Sequence, residues 1–136
     1  TPPTQGVVIA TINDRFNRCL TVGDVDGDGR REMVAAAFRS GLWLLRPGRN
    51  PRAAWSIENI ARDSSGFEHA AVLADLDEDG TAELYVAADD QGELRRYVWR
   101  NGRPRAETIL SRALPRSRMT WSITPVPVSL LDVAGH

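Results

Sequence analysis

The chain has 136 residues, 42% of them hydrophobic and 26% charged, which suits one modest domain with a core and excludes a disordered tail. A net charge of −1 gives no general attraction to nucleic acid or to an anionic membrane, and no run of about 18 apolar residues offers a membrane span. All 17 basic residues are Arg and they are scattered, so neither nucleic acid nor membrane insertion is expected.

The opening Thr1-Pro2-Pro3-Thr4 lacks an initiator Met and an apolar leader, as expected of a processed product or a piece of a longer chain. Residues 6–12, Gly6-Val7-Val8-Ile9-Ala10-Thr11-Ile12, read as a β-strand. Cys19-Leu20-Thr21-Val22 reads as another, with the lone Cys19 a small buried hydrophobe that has no internal disulfide partner. The acidic loop Asp24-Val25-Asp26-Gly27-Asp28-Gly29 follows. Then come an apolar run from Met33 to Phe38, a turn at Ser40-Gly41, a run from Leu42 to Leu45, a turn at Pro47-Gly48-Arg49-Asn50, and a run from Ala53 to Ile60.

The same order then recurs. Asp75-Leu76-Asp77-Glu78-Asp79-Gly80 lies 51 positions after the first loop, and Glu32 falls on Glu83. Runs from Leu84 to Ala88, Leu94 to Trp99 and Ala106 to Leu110 follow, separated by turns at Gln91-Gly92 and Asn101-Gly102, the latter a strong hairpin signal. Each copy therefore predicts four short antiparallel strands, and no helical period competes. The fold class is all-β: four-stranded β-propeller blades of about 51 residues, two complete at about 19–60 and 70–110, within one partial propeller over 1–136. The alanines of Val34-Ala35-Ala36-Ala37 suit a crowded place near a propeller axis. Residues 6–12 resemble the closing strand of a preceding blade and 119–133 the opening of a third.

In the third copy the ligand set is expected to be lost or cut off. At the same offset Asp75, Asp77 and Asp79 fall on Val126, Val128 and Leu130; with a longer connection, Ala134 and His136 replace the second and third aspartates after Asp132. Two blades leave end faces uncovered, so either self-association or the remainder of a longer chain is expected to close the ring.

Three aspartates at alternate positions converge on one point when the backbone turns sharply, and the glycine after the third supplies the unusual backbone angle. With the glutamate added, each like-charged pair at about 4 Å costs on the order of 1 to 4 kcal/mol, which a divalent ion removes. Oxygen-only ligation in a flexible cage favours calcium over magnesium. An EF-hand needs a bidentate Glu at its twelfth position, where this chain has Ala35 and Val86. The pattern Asp-x-Asp-x-Asp-Gly-x-x-Glu between strands resembles instead the FG-GAP or VCBS repeats of integrin-like β-propellers, over residues of about 7 to 110.

Carried over by position, that resemblance implies two calcium sites. The first uses Asp24, Asp26, Asp28 and Glu32 with the carbonyl of Arg30; the second uses Asp75, Asp77, Asp79 and Glu83 with the carbonyl of Thr81. It further implies a non-enzymatic module that binds a carbohydrate or protein ligand in an extracellular or periplasmic setting, with calcium mainly structural. The rival is a propeller domain of a polysaccharide-degrading lyase or hydrolase. No nucleophile elbow, phosphate-cradling loop or zinc spacing appears, so no catalytic residue is expected. His69, near Asp63 and Glu68, reads as a packed or hydrogen-bonded residue at the start of an inner strand. Trp43, Trp55, Trp99 and Trp121 read as inter-blade core, with sugar stacking the alternative for any that are exposed.

Overall fold

The structure is a computed structural model and describes residues 5–111 and 119–126. Strands β1 (Asn17–Gly23), β2 (Glu32–Ala37), β3 (Leu42–Arg46) and β4 (Ser56–Ala61) form one antiparallel sheet in sequence order. Strands β5 (Ala71–Ala74), β6 (Glu83–Ala88), β7 (Glu93–Arg100) and β8 (Arg103–Ser111) form a second. Both are up-and-down sheets, as expected of propeller blades, and they do not close a ring. The acidic loops connect the first two strands of each.

Local chemistry places the turns. Asn101 and Gly102 both have positive φ, 52° and 74°, the backbone of a two-residue hairpin whose twist matches its strands, so pairing begins at once with Arg100 opposite Arg103. Strand β8 therefore starts ahead of the expected run, at the edge of the sheet where Pro104 costs no ladder bond. The turn expected at Gln91-Gly92 is a single 3₁₀ turn, Asp89–Gln91, closed by Gly92 in the left-handed region. Strand β4 begins later than expected, at Ser56, because Pro51 starts a turn and the Trp55 N–H bonds to the Ile9 carbonyl at 2.8 Å.

Alternation assigns the faces. Val34, Ala36, Leu42 and Leu44 on one side of the first sheet pack with Val25 against Ala71, Leu84, Val86 and Tyr97 on the facing side of the second. Strands β1 and β5 lie side by side: the Leu73 N–H donates to Thr21 Oγ1 at 3.0 Å, and Cys19 Sγ exchanges hydrogen bonds with the Ala71 backbone at 3.1 Å. Ala35, Ala36 and Ala37 are buried, as expected of a crowded strand, with Ala36 in the layer between the sheets. Cys19 is half-buried.

The flanks differ from expectation. Residues 6–12 form no strand: among the described residues no ladder pairs with them, and the Trp55 N–H bond to the Ile9 carbonyl is their link to the first sheet. Residues 119–126 form no strand either, and the rest of the expected third-blade opening, Val128, Leu130, Asp132, Ala134 and His136 included, lies outside the described residues. Even so, 119–126 lean on the second sheet. The Thr120 N–H and hydroxyl donate to the Asp89 carboxylate at 2.7 and 2.6 Å, and Ile123, Thr124 and Pro125 line an apolar cleft of about 220 Å³ with Val72, Leu76, Tyr85, Leu94 and Ile109.

Candidate metal centre

The two acidic loops share most of their internal bonds, the first having one more to its leading aspartate. In the first, Asp24 Oδ1 accepts the amides of Gly27 and Asp28 at 2.8 and 3.1 Å, and its Oδ2 accepts that of Gly29 at 2.7 Å. In the second, Asp75 Oδ1 accepts Asp79 N–H at 3.1 Å and Oδ2 accepts Gly80 N–H at 2.8 Å. Asp26 and Asp77 each accept the amide two residues on, at 3.2 Å in both loops. Asp28 and Asp79 accept the amides of Arg30 and Thr81 at 2.7 and 2.8 Å, so those two residues stand at the loop exits. The turns need left-handed backbone at two places: Gly27 and Gly29 in one loop, Glu78 and Gly80 in the other.

Oxygen atoms of Asp75, Asp77, Asp79 and Glu83 all lie within 4.8 Å of one another, as do those of Asp24, Asp26 and Asp28. Both sets offer only hard oxygen donors, which fits a calcium ion and gives zinc no preferred partner. The glutamates come from the first residues of β2 and β6 and are buried. Glu83 Oε2 accepts the Leu76 N–H and the Tyr85 hydroxyl, each at 3.2 Å, and joins its cluster. Glu32 Oε2 accepts the Val25 N–H at 3.0 Å and stands outside the tight group of three. Burial pushes the Glu32 carboxyl above its ordinary range and the three neighbouring aspartates add to that, while the Val25 N–H opposes it.

The first loop has a feature that the motif does not announce. Arg46, the last residue of β3, places Nη2 at 3.3 Å from Asp26 Oδ2 and Nη1 at 3.5 Å from Glu58 Oε2. Leu45 pairs with Met33 as Tyr97 pairs with Leu84, so the counterpart of Arg46 in the second sheet is Val98. Register of the folded sheets reveals this pairing; separation along the chain does not.

His69 is fully buried at φ 46°, just ahead of β5. Its Nδ1 lies 2.7 Å from the Ala37 carbonyl and must donate to it, which leaves Nε2 to accept from the Ser64 hydroxyl at 2.6 Å. Burial pushes the imidazole below its ordinary pKa, with the Ala37 carbonyl opposing. Ser64 is also fully buried, so this pair fastens the second sheet's lead-in to the end of β2 and presents no nucleophile to solvent. Glu68 turns away to pair with Arg18 at 3.1 Å. Of the tryptophans, Trp99 packs against the core and Trp43 and Trp55 are half-buried, but Trp121 is 71% exposed and is no part of it.

Residues 24–86, from the first aspartate loop through the second and into β6, match the family described as the FG-GAP-like repeat. That stretch is similar to FG-GAP-like repeats. Neither a curated protein nor a solved structure matches the chain. The boundaries of the FG-GAP-like segment explain its shape: it runs from one acidic loop to the next and so takes in the last three strands of one sheet, the lead-in with His69, and the first strand of the other.

Proposed function

We propose that this chain is a calcium-binding β-propeller module, with one ion in each acidic loop and calcium mainly structural. The observation that carries this reading is the four-carboxylate cluster of Asp75, Asp77, Asp79 and Glu83 between β5 and β6, whose acidic pattern recurs 51 residues upstream, where Asp24, Asp26 and Asp28 cluster. A divalent ion would offset about half of the loop's charge, and holding the turn holds the register of the strands on either side. Asp24, Asp26, Asp28 and Glu32 with the Arg30 carbonyl would hold the first ion; Asp75, Asp77, Asp79 and Glu83 with the Thr81 carbonyl would hold the second. Similarity to FG-GAP-like repeats supports a binding role, with a carbohydrate or protein ligand outside the cytoplasm, and a glycan array is its direct test. The open sheet faces support closure of the ring by self-association or by the remainder of a longer chain.

Calcium at about a hundred times its Kd should add roughly 2.7 kcal/mol per independent site, so EGTA is expected to lower Tm by several degrees. Asp26→Ala and Asp77→Ala should each remove about one ion in a calcium titration. Retention of both ions by the double variant would sink the site assignment.

A further inference from the structure

We propose, resting on the calcium reading above, that the two loops are inequivalent and that Arg46 sets the difference: its guanidinium is a built-in counter-ion on Asp26 that a cation must displace. Three observations converge on this. Arg46 holds Asp26 Oδ2 at 3.3 Å, whereas no ion pair reaches Asp75, Asp77 or Asp79 among the described residues. The position equivalent to Arg46 in the second sheet is the uncharged Val98. On the glutamate side, the Tyr85 hydroxyl steadies Glu83 at 3.2 Å, while its counterpart Val34 has no hydroxyl to offer Glu32. The second loop thus brings four carboxylates together, and the first brings three with one already engaged.

A guanidinium touching a ligand oxygen opposes a divalent ion twice: it takes a lone pair that the ion needs, and its charge repels the ion at short range. The second loop therefore fills first. The first fills only as Arg46 leaves Asp26, and the route out is short because Arg46 already touches Glu58 on β4 at 3.5 Å. Glu58 is the acceptor that receives the displaced guanidinium, which makes the affinity of the first loop depend on a strand that is no part of it.

Isothermal titration of the full chain with calcium chloride separates these claims. The wild type should show a tighter and a weaker site, with Asp77→Ala removing the tighter and Asp26→Ala the weaker. Arg46→Met should tighten the weaker site by about three- to tenfold and leave the other unchanged, the scale of an exposed ion pair plus short-range repulsion. Glu58→Gln, an exposed substitution that spares the fold, should move the same site the other way, by roughly two- to threefold. Two ions bound with the weaker affinity unmoved by Arg46→Met and by Glu58→Gln would overturn the role of Arg46. Loss of the weaker site in Asp77→Ala would overturn the order of filling. No calcium bound by the wild type would instead overturn the calcium reading itself.

Discussion

At the scale of single residues, the two loops carry out one task with unequal means. Their fourth position needs positive φ, and the first loop meets this with Gly27 at 78° while the second places Glu78 there at 60°. A side chain in left-handed backbone costs about 1–2 kcal/mol, against about 0.5–1 kcal/mol for the extra unfolded-state freedom of a glycine. Glu78→Gly should therefore stabilise the calcium-free chain by roughly 0.5–1 kcal/mol in urea unfolding. Glu78→Ala removes the charge and keeps the strain, so an equal gain from it would show that repulsion and not backbone angle is relieved. The repeat made the ligand types and their spacing legible in sequence, because side-chain type and local spacing suffice for an acidic turn. Arg46 was not legible, because it reaches its loop from another strand, and neither was Tyr85, whose hydroxyl meets Glu83 from the same face of β6.

At the scale of elements, the strands and most turns followed from alternation and turn chemistry, as the Asn101-Gly102 hairpin shows. Expectation failed where a strand had no partner. Residues 6–12 are apolar enough for a strand, but a strand is a property of a pair, and among the described residues no ladder lies beside them. The joints that fasten turns within a sheet were equally hidden. Asp14 fastens the β2–β3 turn by accepting the amides of Arg39 and Ser40 at 2.8 and 2.6 Å, and these hydrogen bonds outweigh the upward push of burial to hold its carboxyl below the ordinary range. In the same turn Gly41 has φ 104°, and a Cβ there would overlap the Ala61 carbonyl oxygen at the end of β4. Gly41→Ala should cost at least about 3 kcal/mol, because backbone angle and overlap act together, and a denaturation midpoint close to wild type would refute that joint.

At the scale of the whole molecule, the repeat makes each sheet's two faces comparable with those of its neighbour. Val25 is fully buried between the sheets, whereas Leu76, its counterpart in the second loop, is 52% exposed beside the apolar cleft. Leu20 and Val22 on the far side of β1 are 57% and 51% exposed, although their counterparts Ala71 and Leu73 pack against the first sheet. The surfaces left open are thus the same two kinds that the blades bury against each other. Val25→Ser should cost about 2–3 kcal/mol, and Leu76→Ser in dilute solution less than about 0.5 kcal/mol. Equal costs in thermal unfolding would show that the forward face is covered in solution. The sequence by itself determined the two all-β units and their acidic loops, because these rest on residue type and short-range period. Only the tertiary structure decided which carboxylates meet, that Arg46 occupies Asp26, that His69 and Ser64 are sealed within the fold, and which faces stay open. Those depend on register and packing between sheets, and no local pattern of residues encodes the distance between groups that the fold brings together.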